Sequence, residues 1–399
     1  MNILITNIDG NPQFIGGVKR VSAILAKQWI LCGHDVRFLC YSAGSDVRFD
    51  EVEGIKQDFL PNGNIINCEE NVEFFVNYIR EQNIDIVINQ FVDSIEMMRL
   101  CKQVRETTNV KLISSLHFSI NSLNDIAKEM FFVKYRLGNN PVNYLKDAVL
   151  WCNYWLRGRR RIANENRQKL LEAYSGSDIV MLLSANYIPQ FEKVVGIKDV
   201  ENKLVAINNP SIQPESIVRE KEKRVLWCGR MEFGVKRVDR IMRIWKRVLQ
   251  QFPDWELDVI GSGDIEFFRA LAKRNGVERI NIVGFANPQE YYDKAAILCM
   301  TSSTEGWGMV LIEAQSNGVV PMAYNSYASA TDIINDGENG FLVKAFDEDE
   351  YVEKLSLLMQ DEQKRREMSE RGLIKIKDFS VEYIAQKWLN LFDLLLCQQ

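Results

Sequence analysis

The feature that most constrains this chain is a repeated alternation. Short apolar runs are each followed by a segment with apolar residues at helical spacing, and the pattern occurs in two series. The first series opens with MNILITNI and continues through VKRVSAILAKQWILCG, HDVRFLCYS, EFFVNYIREQ, IDIVINQ, IEMMRLCKQVRE and VKLISSLHF. The runs have strand length and little polar content, as expected of strands covered on both faces, and the intervening segments repeat at the helical period. Residues 122–170 break the rhythm with aromatic and basic helical segments, and it returns at SDIVMLLS and KLVAINNP. Asn208-Asn209-Pro210 and the charged VREKEKR then read as a boundary and linker. The second series has strands RVLWCG, WELDVIG, INIVGF, ILCMTS, VVPMAYN and GFLVK, with helices VDRIMRIWKRVLQQF, EFFRALAKRNG and GMVLIEAQSNG among them. Strands alternating with helices predict an α/β fold of two Rossmann-like, doubly wound domains, residues 1–208 and 209–379. Ligands of such sheets bind beyond the carboxyl ends of the strands, so the expected site is a central cleft that the two domains face.

Composition narrows the classes. At 399 residues the chain is long enough for two ordinary domains, and 46% hydrophobic with 26% charged residues suits a soluble globular protein. A net charge of −5 argues against a nucleic-acid binder. Two histidines in the whole chain make a zinc enzyme a poor expectation, and the eight scattered cysteines read as free thiols of a reducing cytosol. No apolar run has the length of a membrane span, and MNILITNI lacks the basic start of a signal peptide.

Four stretches carry candidate chemistry. Gly16 and Gly17 precede a helix, where backbone amides and the helix start favour a phosphate; a plain turn explains them equally well. The dinucleotide fingerprint G-x-G-x-x-G is absent, which argues against a nicotinamide enzyme. In GRMEFGVKRVD, Arg230 and Lys236 follow a strand end and suit a diphosphate, although solvated surface charge is the usual explanation of such residues. In TSSTEGWGMVLIEAQSNG, Glu305 follows a strand and Glu313 lies inside the next helix. Gly306 and Gly308 permit a tight turn that exposes amides at the helix start, an anion site. A carboxylate that close to phosphate needs another duty, and the paired hydroxyls of a ribose supply one.

Taken together, Gly16-Gly17, GRMEFGVKRVD, VGFANPQEYYDKA, EGWGMVLIE with its E-x7-E spacing and DIINDGENGFLV resemble a retaining glycosyltransferase of family four, which has the GT-B fold. The resemblance covers nearly the whole chain. It implies that Arg230 and Lys236 hold the donor diphosphate and that Glu313 binds the ribose. Glu305 and the amides from Gly306, Trp307 and Gly308 to Met309 and Val310 would face the sugar and phosphate. Phe285 and Ala286 would contact the base through backbone, and Gly17 would approach the diphosphate from the first domain. His117 matches the place of a histidine near the transferred sugar; a core histidine is the alternative. The resemblance also implies that the last helix, residues 380–399 with VEYIAQKWLNLFDLLL, crosses back onto the first domain. Trp307-Gly308, ATDII and Arg237 depart from the commoner family pattern.

The implied reaction transfers a hexose or N-acetylhexosamine from a nucleotide diphosphate sugar, a uridine one foremost, to a glycan or lipid-linked saccharide in surface polysaccharide or glycoconjugate synthesis. The anomeric configuration is retained. No metal and no cofactor are expected, since two cationic side chains serve the diphosphate and no D-x-D motif occurs. A nucleotide-sugar epimerase of the same shape and a non-catalytic nucleotide-sugar or glycan binder are the alternatives. Residues 128–169 carry ten Lys/Arg against three acids, net +7, beside MFFVKY and WCNYWLRGRRR. This composition suits peripheral docking on anionic lipid at the inner face of the plasma membrane, or a solvated basic helix over an aromatic core. Otherwise the expected location is cytoplasmic.

Overall fold

The computed structural model describes residues 1–9, 17–42, 51–52, 54–120, 149, 152 and 154–397. They form two compact units. One takes in Met1–Ile120, Asn164–Pro210 and Val381–Gln399, and the other includes Ser211–Ser380.

The first unit is built on an eight-stranded sheet. Its strands are β1 (Asn2–Asp9), β2 (Asp35–Ser42), β3 (Glu51–Val52), β4 (Ile55–Phe59), β5 (Ile86–Asn89), β6 (Lys111–Leu116), β7 (Ile179–Leu182) and β8 (Leu204–Ala206), in the order β3-β4-β2-β1-β5-β6-β7-β8. All pairings are parallel except β3 with β4. Strand order reverses between β1 and β5. Both β5 and β7 are buried along their whole length, which explains why they read as unbroken apolar runs. Helices α1 (Gly17–Leu31), α2 (Glu69–Glu81), α3 (Ile95–Thr108), α4 (Arg159–Gly176) and α5 (Ile188–Val195) accompany the sheet. At α3, Ser94 Oγ accepts from the Met97 amide at 3.2 Å, and Asn109 closes the helix in the left-handed conformation.

The second unit has a wholly parallel six-stranded sheet of β9 (Arg224–Cys228), β10 (Glu256–Ile260), β11 (Ile280–Gly284), β12 (Ile297–Met300), β13 (Val320–Asn325) and β14 (Phe341–Lys344). The order is β11-β10-β9-β12-β13-β14, reversing between β9 and β12. Its helices are α6 (Val238–Val248), α7 (Ile265–Arg274), α8 (Pro288–Lys294), α9 (Met309–Ser316), α10 (Ala330–Ile333), α11 (Glu348–Gln360) and α12 (Glu362–Lys375). The core packs Trp227, Trp245, Trp255 and Phe268 with the apolar faces of α6 and α11. ILCMTS is shorter as a strand than its sequence suggests: β12 ends at Met300, and Thr301 to Thr304 run on as buried loop.

The last helix, α13 (Val381–Cys397), belongs to the first unit although the chain reaches it from the second. Its buried stripe includes Ile384, Trp388 and Phe392. Trp29 of α1 meets Trp388 and Phe392 edge-on, at 5.9 and 5.2 Å between ring centres. The Trp29 indole N–H donates to the Ala385 carbonyl at 3.4 Å. Among the described residues, no helix is long and apolar enough to cross a membrane.

Candidate active site

The reversal of strand order in the second unit sets the loop after β9 beside the loop after β12, because those two strands are neighbours. Backbone ties fix the two loops together: the Ser303 amide donates to the Val235 carbonyl at 2.7 Å, and Thr301 Oγ1 donates to the Arg237 carbonyl at 2.9 Å. The Trp227 indole in turn donates to Thr301 Oγ1 at 3.0 Å. The loops after β9 and β10 approach closer than a side chain allows. A Cβ on Gly261, whose φ is +134°, would lie 1.9 Å from the Gly229 carbonyl oxygen.

On this frame Lys236 Nζ donates to Glu305 Oε1 at 2.6 Å. The lysine is 27% exposed and the glutamate 11%, so the pair is partly withdrawn from water yet reachable. Arg230 stands apart from it, 69% exposed, with its guanidinium 3.8 Å from Glu232. Arg237, next to Lys236, is buried in the left-handed conformation at φ 54°. It forms a forked pair with Asp239, at 2.9 and 3.0 Å, and Asp239 also accepts from Arg243 at 2.7 Å. Burial works to raise the Asp239 carboxyl, but Arg237 and Arg243 overcome it and hold the group below the ordinary carboxylate range.

Gly308 has φ +97° and caps α9, with Met309 and Val310 half-buried in the first turn. The Trp307 side chain is only 2% exposed and packs edge-on against Phe379 at 5.4 Å, so this residue can offer a ligand its backbone but not its ring. Glu313, in the second turn of α9, accepts from the Tyr292 hydroxyl at 3.0 Å. Phe285 is 89% exposed beyond the end of β11, with Ala286 half-buried after it.

The first unit holds the remaining candidates. His117 follows β6 and lines a cavity of about 90 Å³ with Lys19, Gln90, Asp93 and neighbouring apolar groups. Its Nε2 meets Gln90 Oε1 and lies 3.0 Å from Ser115 Oγ, while Nδ1 is buried with no partner. Burial lowers its pKa to about 4, so the ring is neutral at pH 7. Gly17 begins α1, and a Cβ there would meet nothing within 4 Å. Gly16 lies outside the described residues, as does most of 128–169.

Two residues near these candidates escape the sequence reading. Arg240 is buried and donates to the Thr301 carbonyl and Ser303 Oγ, both at 3.2 Å, with its guanidinium 4.2 Å from the Phe346 ring centre. Its spacing from Arg237, one helical turn, is the signal that could have marked it. Tyr292 stands within VGFANPQEYYDKA, and only the fold shows that its hydroxyl reaches Glu313. Among the described residues, no three His, Cys, Asp or Glu side chains gather as metal ligands would.

Residues 208–374 match the family model described as glycosyl transferases group 1. That stretch is similar to the glycosyltransferases of this group. An uncharacterized glycosyltransferase of Haemophilus influenzae is 29% identical to the chain over 309 residues, 72% of this chain and 86% of that protein. A Campylobacter jejuni N-acetylgalactosaminyltransferase, whose named acceptor is an undecaprenol-linked saccharide, is 30% identical over 174 residues. That match takes in 43% of this chain and 48% of the relative, so the chain spans about half that relative's length. Among solved structures, Anabaena HepE in complex with UDP-glucose aligns over 100% of both chains with a TM-score of 0.72 at 16% identity. The lipopolysaccharide outer core galactosyltransferase WaaB aligns over 98% of both with a TM-score of 0.70 at 19% identity. The likeness at these identities is one of fold, and the fold is GT-B, two Rossmann-like α/β domains.

Proposed function

We propose that this protein is a retaining, metal-independent group 1 glycosyltransferase that uses a uridine diphosphate hexose or N-acetylhexosamine. The acceptor is a growing glycan or lipid-linked saccharide of a surface polysaccharide or glycoconjugate. One observation carries the reading: Lys236 and Glu305 pair at the strand-order reversal of the second unit, eight residues before Glu313 on the following helix. Lys236 supplies charge to the departing diphosphate, and the backbone at the start of α9 adds the favourable end of the helix dipole to the same anion. Arg230, exposed beside Lys236 in sequence, can swing in as a second cation. Glu313 accepts from the ribose hydroxyls, steadied by Tyr292. Glu305 accepts from the sugar and offsets positive charge at the anomeric carbon. The acceptor attacks the face from which the diphosphate leaves, and the diphosphate takes the acceptor's proton.

The nucleotide chemistry draws support from the UDP-glucose in the HepE complex, and the acceptor class from the undecaprenol-linked saccharide in the Campylobacter relative's name. The test is transfer from a panel of UDP-sugars with and without a chelator. Activity should survive chelation. Glu305→Gln should lower turnover by about 10²–10³ with nucleotide affinity nearly kept, because its contact strengthens at the reacting centre. Glu313→Ala should weaken free UDP as well. Equal loss of UDP affinity in both variants, or activity that needs magnesium, sinks this assignment.

Such donors are cytoplasmic, and a lipid-linked acceptor would draw the enzyme to the inner membrane face. The described end of the basic segment fits this reading: Trp155 and Leu156 are exposed, Arg159 lies 5.1 Å over the Trp155 ring, and Arg160 and Arg161 are exposed beside it. Sedimentation with anionic liposomes should fall as salt rises and after Arg159, Arg160 and Arg161 are changed to Ser. Protein that stays in the supernatant at low salt rules the membrane contact out.

A further inference from the structure

A second concave site lies in the second unit, away from the Lys236–Glu305 pair. It is a cavity of about 300 Å³ formed by the segment leading into β9, the start of β13 and the first half of α12. Arg219, Lys221, Lys223, Arg365 and Arg366 line it, against only two carboxylates, Glu220 and Glu362. Gly318, on its wall, follows the C-terminal end of α9. The eight residues of that helix span roughly 12 Å, and its other end carries Gly308 and the proposed donor site.

The cations here fall into two kinds. Lys223 and Arg366 are already ion-paired, with Asp254 and Glu362. Lys221 and Arg365 are half-buried and, among the described residues, have no carboxylate within ion-pair distance, although Asp293 acts on the lysine and Glu362 and Asp361 act on the arginine from farther off. Lys221 Nζ donates to the carbonyls of Tyr292 at 2.8 Å and Asp293 at 3.3 Å, which leaves one of its three protons unspent. Arg365 Nη1 donates to the carbonyls of Leu358 at 2.5 Å and Met359 at 3.1 Å, and its guanidinium lies over Trp255 at 5.0 Å. Among the described residues, the rest of its fork makes no hydrogen bond. Arg219, on the exposed rim, makes no ion pair among the described residues. Cations withdrawn from water without a close counter-ion are costly, and burial outweighs the more distant carboxylates: it lowers the Lys221 ammonium to about 8 and the Arg365 guanidinium below its ordinary value. A structural role would be served by the carbonyl contacts of an uncharged donor. Three cations that converge on one concavity with no carboxylate in direct contact are instead matched to an anion.

We propose that this cavity binds a small phosphate-bearing anion, with Lys221 as the compact charge and Arg219 and Arg365 as directed donors. A phosphate presents enough oxygens to accept from all three, and a lysine beside arginines is a common way to hold one. The volume is at the lower end for ligand sites, of the size of a phosphate or a sugar phosphate. The alanine and valine of its wall, Ala296 and Val320, offer an apolar face to a small organic group.

The test is calorimetric titration of the full-length protein with inorganic phosphate and with glucose 1-phosphate, at ionic strength held constant with chloride. With the donor site first filled by UDP, binding should weaken at least about tenfold in Lys221→Gln and in Arg219→Ser. Arg219 is exposed and makes no bond among the described residues, so its variant folds even where Lys221→Gln disturbs the carbonyl contacts. Tighter binding of glucose 1-phosphate than of phosphate assigns the organic ester; the reverse assigns the free ion. Affinity untouched by the two cavity variants, or no heat from either probe, overturns the site.

Discussion

Lys236 and Glu305 neutralise each other at 2.6 Å, and both side chains retain access to solvent. A partly exposed ion pair is worth only about 1 kcal/mol, so a doubly charged diphosphate can take the lysine and release the glutamate to the sugar. The neighbouring Arg237 is held differently. It is buried, bonded to Asp239 and fixed in a left-handed backbone conformation that non-glycine residues seldom adopt, so it positions the loop and cannot leave it. His117 gives a pH-dependent consequence at this scale. Its folded pKa of about 4 lies below the unfolded value of 6.5, so between those values the unfolded chain binds more protons. Stability is therefore full above pH 6.5 and falls as the pH drops toward 4, by an amount on the order of 2–3 kcal/mol. Asp93 lines the same cavity, and burial raises its carboxyl despite Lys169. It opposes the trend at the acidic end. His117→Asn should flatten the slope of denaturation midpoint against pH between 4 and 6.5. An unchanged slope would show that the histidine is solvated in the native state.

At the scale of elements, the close approach of two loops decides how much the frame tolerates. Gly261 has no room for a methyl group because the Gly229 carbonyl occupies that space, and its φ of +134° excludes other side chains in any case. Gly261→Ala must push the loop of Gly229 and Arg230 away from β10. The expected result is a lower melting temperature together with a turnover loss larger than that of Arg230→Ala alone; wild-type behaviour on both counts would mean that the loop relaxes freely. The sheets were legible in sequence because buried parallel strands such as Ile86–Asn89, Ile179–Leu182 and Ile297–Met300 have no polar face to break the apolar run. The hairpin of β3 and β4 was not, since Glu51–Val52 is too short and Ile55–Phe59 too polar to stand out. Helices α11 and α12 also escaped, because acidic first turns and basic faces hide their narrow apolar stripes. Their starts are marked all the same, by Asp347 and Asp361 accepting from the Glu350 and Lys364 amides. The spacing of Glu305 and Glu313 was visible directly. Arg240 was marked only by its one-turn spacing from Arg237, and the contact of Tyr292 with Glu313 comes only through the fold.

At the scale of the whole molecule, the chain passes from the first unit to the second after Pro210 and returns after Ser380. The two passages run side by side, tied by the Ser211 amide donating to the Phe379 carbonyl at 2.7 Å and by a β-bridge between Ser211 and Ser380. Helix α13 is thus part of the first unit's fold, placed there by its contacts with α1. Ile384, Trp388, Leu389, Phe392 and Leu395 are all buried, and each contributes about 1.5–3 kcal/mol by leaving water. Their sum rivals the roughly 5–15 kcal/mol that stabilises an ordinary domain. Truncation after Ser380 should therefore unfold the first unit selectively, with Trp29 exposed and residues before Pro210 cut early by protease. The second unit has its own core and carries Lys236, Glu305 and Glu313. Under the proposed function it should still bind UDP, with affinity within a few-fold of the intact protein, while transfer is lost. Protease protection of the first unit in the truncated chain would show that α1 and its sheet hold together without α13. Loss of UDP binding along with it would show that the second unit cannot keep its loops in order alone.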